Sequence, residues 1–228
     1  MKISSMQLHY VSAALCAFLL ALASTVVYAA GSSAGSVSDS AGEGLDPVQM
    51  SAKAFRTGIK HRDRALKLEA RAAAATTDNA RAKLLEKAKK SFNKAATKQG
   101  QALELDPQNY KAANELGFAL RKTGDFRKAI GAYNYALDLN PKFHPATEYR
   151  AEAYLALGMY EKTRNAYMTL FREEPALADQ LMTHIDSWRQ ANRDNRSEDA
   201  QAFVQWVEER KRLAAVTRDL SSNNTRTW

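Results

Sequence analysis

Three prolines, Pro107, Pro141 and Pro175, stand 34 residues apart, and much of the surrounding sequence keeps the same period. Leu105-Asp106-Pro107 recurs as Leu139-Asn140-Pro141. Ala102-Leu103 recurs as Ala136-Leu137 and then as Leu170-Phe171. Phe92, Phe126 and Tyr160 are in phase, as are Ala95, Ala129 and Thr163, Gly124 and Gly158, and Tyr133 and Tyr167. A fixed period of this length describes stacked supersecondary units, none of which buries its apolar face alone. The units are helical by composition. After residue 45 there are 32 Ala but only 7 Val or Ile. Ala favours helix and β-branched residues favour strand. Folds built on a parallel sheet, with their dinucleotide-binding and hydrolase chemistries, are therefore excluded.

Within one unit, Ala113, Leu116, Gly117 and Leu120 follow the i, i+3, i+4, i+7 spacing of a single helix face. Gly117 lets a partner helix approach closely, and Gly124 relieves the turn between two helices. Ala129 is small, with Phe126 and Tyr133 to fill the space around it. Pro141 stops the second helix and begins the next unit.

On these residues, the segment Tyr110 to Pro141 resembles a tetratricopeptide repeat (TPR). Ala113, Leu116, Gly117, Leu120, Gly124, Phe126, Ala129, Tyr133, Ala136, Leu137 and Pro141 occupy that family's landmark positions. The unit from His144 matches at Ala151, Tyr154, Gly158, Tyr160, Tyr167 and Pro175. It departs at Arg150, where the family has Leu, and at Thr163, where it has Ala. The preceding segment, 76–107, matches only in its second half, with Lys90 in place of the turn glycine and Gln99 in place of an aromatic. The resemblance implies an all-α, short helical-hairpin solenoid that binds other molecules through pre-organised surface.

The flanks read as caps and leaders. Lys2 followed by an apolar run from Val11 to Val27 and by small residues at 29 and 30 is a secretory signal peptide over 1–29. Residues 30–45 are Gly- and Ser-rich and read as a flexible linker. Asp46-Pro47 is an N-cap followed by proline at the first helical position. It opens an N-terminal helical hairpin, 46–107, that includes the degenerate repeat. Its first helix should run to about Ala75, with Phe55, Ile59, Leu66 and Leu68 among its apolar positions. Its second should run from about Ala80 towards Leu105, as one helix, since Lys89-Lys90-Ser91 offers no turn chemistry, or as two. Two repeats, 108–175, are followed by C-terminal capping helices over 176–214 and a loose tail over 215–228. Cys16, the one cysteine, lies inside the signal, so thiol chemistry is absent from the mature chain.

A catalytic set is not found. His61, His144 and His184 have no partner at metal-ligand spacing, and each reads as structural or solvated. Glu148 and Glu152 share a helix face at i, i+4, where acids generally balance neighbouring cations. Gly31-Ser32-Ser33-Ala34-Gly35 has the G-x-S-x-G form but no strand before it. The chain is not expected to be an enzyme, nor to need a cofactor or a metal.

Charge is unevenly placed. Segment 48–107 carries 14 Lys or Arg against 6 Asp or Glu, whereas 176–228 is balanced at 8 against 8. The surplus includes Lys83, Lys87, Lys89, Lys90, Lys94 and Lys98, a basic patch that would attract anionic partners. In TPR proteins ligands meet the inner face of the first helix of each repeat. The resemblance carries that face onto Lys111, Asn114, Phe118, Arg121 and Lys122, then Glu148, Glu152 and Leu155. The family's clamp for C-terminal carboxylates uses Lys and Asn in successive repeats. Here the aligned positions are Ala80, Leu84 and Glu115 in one register and Asn114, Phe118 and Tyr149 in the next, so that clamp is absent.

The reading is a non-enzymatic, exported scaffold that binds a protein or peptide in the bacterial cell envelope, periplasmic or secreted, and membrane-tethered if the signal stays attached. The alternative is a basic adaptor docking through the 81–98 helix on anionic lipid or envelope polymer. Nucleic acid is not expected as a partner in that compartment.

Overall fold

A computed structural model describes residues 46–195 and 197–224, the segment 217–224 by its backbone alone. The expected signal peptide and linker lie outside the described residues. Among the described residues there are eight helices and no strand. They are α1 (Pro47–Ala73), α2 (Asp78–Leu105), α3 (Tyr110–Lys122), α4 (Phe126–Leu139), α5 (His144–Ala156), α6 (Tyr160–Glu173), α7 (Pro175–Ala191) and α8 (Glu198–Asn224). From α1 to α7 each helix packs on the next, and α1 on α3, α3 on α5 and α5 on α7. That pattern puts the odd-numbered helices in one layer and is the signature of a short helical solenoid.

The 34-residue period appears as repeated local chemistry. Asp106 and Asn140 each close a turn over the following proline, accepting from the backbone N–H of Gln108 at 3.1 Å and of Lys142 at 3.3 Å. Gly124 and Gly158 have φ of +90° and +69°, which side-chain-bearing residues avoid. The backbone N–H of Gly124 bonds to Arg121 O and that of Asp125 to Leu120 O. Gly158 and Met159 repeat the pair on Leu155 O and Tyr154 O. These are two Schellman motifs in register. Asp125 then caps α4 through Lys128 N, so one residue ends one helix and begins the next. Pro175 departs from its counterparts. It is the first residue of α7, whereas α3 and α5 begin three residues after Pro107 and Pro141.

The N-terminal hairpin is held by small residues. On α1, Ser51, Gly58, Ala65 and Ala72 recur every seven residues and are buried. On α2, Ala88, Ala95 and Ala102 do the same. Small side chains at this spacing let the two helices approach closely. Ser51 Oγ donates to Ala102 O at 2.8 Å, and Gln99 lies across Gly58 and donates to Phe55 O at 3.3 Å. The larger apolar residues of α1, Phe55, Ile59, Leu66 and Leu68, are half-buried or exposed at the edges of that face. Between one helix and two over 80–105, the chain takes one: α2 is unbroken through Lys89-Lys90-Ser91, where no turn glycine stands.

At the other end, Leu155, Leu170, Leu181, Ile185, Phe203 and Val207 form a closed core. Phe203 stacks on Tyr160 at 5.0 Å and on Trp206 at 5.8 Å, so α8 covers the last open face. The tail is a correction. Residues 215–224, expected to be loose, continue α8 to Asn224. No Gly or Pro occurs between 198 and 224 to stop the helix.

Candidate functional site

The inner layer brings α3, α5 and α7 together around a buried charge cluster. On α3, Asn114, Phe118 and Arg121 share a face; on α5, Glu148, Tyr149 and Glu152 meet it; on α7, His184 reaches across. The Arg121 guanidinium is paired with Glu152 Oε2, and both side chains are about nine-tenths buried (12% and 9% exposed). It lies 5.3 Å from the ring centroids of both Phe118 and Tyr149. Those rings meet edge to face at 5.4 Å, and Phe118 meets Phe92 of α2 in the same manner at 6.2 Å. An arginine that is planar, weakly hydrated and held between aromatic rings suits such a site better than a lysine would. A charge pair buried to this degree sets register between helices more than it adds stability, because both ions leave water.

Glu148 stands one turn before Glu152 and is 2% exposed. One of its oxygens, Oε1, has no hydrogen-bond partner, and neither has Glu152 Oε1. Burial and the adjacent Glu152 carboxylate push Glu148 up to about 8, against the pull of Arg121. For Arg121 itself, burial acts to lower its pKa, and the Glu152 carboxylate outweighs it and raises it. Tyr149 is raised by burial and then by Glu148. His184, half exposed, places Nδ1 3.4 Å from Glu152 Oε2. The ligand atoms of Glu148, Glu152 and His184 all lie within 4.8 Å of one another.

The residues assigned to the inner face divide into three groups. Lys111 is exposed, 5.8 Å from the Tyr110 ring, and free to meet a partner. Phe118, Arg121, Lys122, Glu148 and Glu152 do converge, but they engage one another and α1: Lys122 pairs with Glu69 at 2.7 Å. Asn114 is buried at 4% exposure, its Oδ1 without a partner. Leu155 is a correction. It is not on the groove but in the C-terminal core, facing Leu170 and Leu181, because α6 and α7 close over that side of α5. The aligned sequence positions could not show which side of α5 the later helices cover. Two residues were missed by the sequence reading, Tyr149 and His184. Tyr149 lay on the positions aligned with the clamp, and His184 could be found only from the fold that brings α7 to α5.

The basic patch is real but wider than α2. Lys83, Lys87, Lys89, Lys90 and Lys94 are exposed; Lys98 is half-buried and donates to Gln101 Oε1 at 2.9 Å. Lys83, Lys87, Lys90, Lys94 and Lys98 follow one helix face, and Lys89 falls off it. On α1, the exposed Lys53, Arg56, Lys60, Arg64, Lys67 and Arg71 keep the same rhythm. The two stripes meet at His61, whose pKa is lowered by burial and by the charges of Lys94, Arg64 and Lys98. Of the hairpin's acids, Asp63 binds Arg62 and Glu69 binds Lys122 of α3, while Glu86 pairs with Lys90 of the patch itself at 3.5 Å. The α1 stripe was legible as a repeat of cations every seven residues, starting at Lys53, Lys60 and Lys67.

No described helix is long and apolar enough to cross a membrane. Residues 110–143 match the family model for the tetratricopeptide repeat. No curated protein matches the chain. Among solved structures, the chain is similar to the first TPR of Spaghetti (RPAP3) bound to HSP90 peptide SRMEEVD. The TM-score is 0.39 and the identity 20%, over 55% of this chain and 94% of that one.

Proposed function

We propose that the chain is a non-enzymatic, exported TPR scaffold that holds a protein or peptide on its inner layer within the cell envelope, in service of an assembly or secretion system. The observation that carries this reading is the inner layer itself: α3, α5 and α7 side by side, with Lys111, Phe118 and His184 still partly open to solvent. The matched repeat over 110–143 supports it, since repeats of this kind act as binding surfaces. Export rests on the basic, apolar and small-residue order of residues 1–30.

The test uses a photo-crosslinking residue placed at Lys111 or Phe118, with Arg127 on the outer layer as control. A discrete adduct from the inner positions alone is expected. Adducts that are absent, or equal from Arg127, overturn the reading. Cell fractionation with N-terminal sequencing tests export. The mature chain should begin at Ala30 or Gly31; a full-length chain retained inside the cell rejects it.

The alternative has its own observation, the two cation stripes that converge at His61. The hairpin would then dock on anionic lipid. Binding to phosphatidylglycerol vesicles should weaken steeply with salt and be lost when Lys87, Lys90 and Lys94 are changed together to Glu. Retention of binding in that variant rejects the alternative.

A further inference from the structure

We propose that Glu148, Glu152 and His184 form a binding site for a divalent transition ion of the zinc class. No metal is expected here from the sequence, because Glu148 and Glu152, though at i, i+4, gain a histidine only when α7 folds onto α5. The donor set is two carboxylates and one imidazole, a combination that suits zinc and is foreign to the all-oxygen shells of magnesium and calcium.

Three observations support the site. Its ligand atoms already lie within 4.8 Å of one another, with His184 Nδ1 at 3.4 Å from Glu152 Oε2. Around a tetrahedral zinc ion such atoms stand about 3.3 Å apart, so rotation of side-chain torsions closes the remaining gap. Glu148 is 98% buried (2% exposed), and its Oε1 has no hydrogen-bond partner. A buried carboxylate oxygen with no partner is costly, and a metal ion removes that cost. Arg121 and His184 meet on one oxygen, Glu152 Oε2, which leaves Glu152 Oε1 without a hydrogen-bond partner and available to an ion. His184 is half exposed, which gives an ion a path from solvent. The three protein ligands leave a fourth position open, as in zinc sites that bind a water or a ligand.

This site does not depend on the scaffold reading, because it is measured on the free chain. The experiment is calorimetric titration of the purified full chain with zinc chloride, and in parallel with magnesium and calcium chloride. One zinc per chain is expected, with the other two ions showing no saturation at the same concentrations. His184→Ala, at a half-exposed position that tolerates truncation, and Glu148→Gln should each weaken zinc binding at least tenfold. Circular dichroism reports that both variants keep their helices. In a histidine-selective NMR spectrum, zinc should move the His184 ring signals before those of His61 and His144. The proposal is overturned by the absence of saturable zinc binding, by an affinity unchanged in His184→Ala, or by magnesium or calcium binding as tightly as zinc.

Discussion

A side chain at position 117 would collide with Tyr133: a Cβ there would lie 2.6 Å from the ring carbon Cε1. Gly117 is therefore the point at which α3 and α4 touch. Tyr133 is fully buried and cannot yield. Gly117→Ala gains helix propensity of about 1 kcal/mol but forces an overpacked core costing roughly 1–3 kcal/mol. The net expectation is a loss, read as a lower urea midpoint. A second change, Tyr133→Leu, should recover part of it, which a purely local backbone effect at 117 would not allow.

Arg121 and Glu152 should behave as a unit. Arg121→Ala leaves the buried Glu152 carboxylate without its guanidinium partner, a loss of about 3–5 kcal/mol. Glu152→Ala strands the guanidinium in turn. The double variant should lose clearly less than the sum of the two singles. A double-mutant cycle that adds to within about 0.5 kcal/mol would show that the pair does not couple α3 to α5.

His61 gives a pH signature for the basic hairpin. Burial and the neighbouring Lys94, Arg64 and Lys98 hold its pKa below the ordinary histidine value. The unfolded chain therefore takes up the proton first, and stability falls as pH drops through the range around the ordinary value of about 6.5. An anion docked on the stripe would cancel those charges. Its NMR titration midpoint should move upward when anionic vesicles are added at low salt and return at high salt. A midpoint indifferent to vesicles would count against docking on this face.

Phe203 should report on the C-terminal cap. It is fully buried against Leu181, Ile185 and Tyr160. Phe203→Ala should cost about 3–5 kcal/mol, measured by denaturant unfolding. Val204→Ala, one residue on and only half-buried, serves as the mild comparison.

Much of the fold was readable from residues whose chemistry is local. Pro107, Pro141, Gly124 and Gly158 mark turns by backbone conformation alone, whereas Lys90 in place of glycine left open whether α2 would be one helix or two. The buried face of α1 was harder. Its large apolar residues draw attention, yet the contact is made by Ser51, Gly58, Ala65 and Ala72, which are small because another helix lies against them. The charge cluster was the least legible part. Glu148 and Glu152 have the spacing of ordinary surface acids; Arg121 and His184, which make them otherwise, come from helices about thirty residues away on either side. Leu155 failed for the same reason, since its neighbours belong to α6 and α7. The tail over 215–224 was expected to be loose because chain ends generally are, but it continues α8 to Asn224.

The plug made by Phe203 and Trp206 over Tyr160 and Tyr167 gives the array a terminus. With that surface occupied from within, no further hairpin can be appended end-on after α7 without displacing α8. Lengthening this protein would have to happen by splicing a unit between the two turn prolines, upstream of the stopper, where both cut faces already accept a neighbour of the same kind.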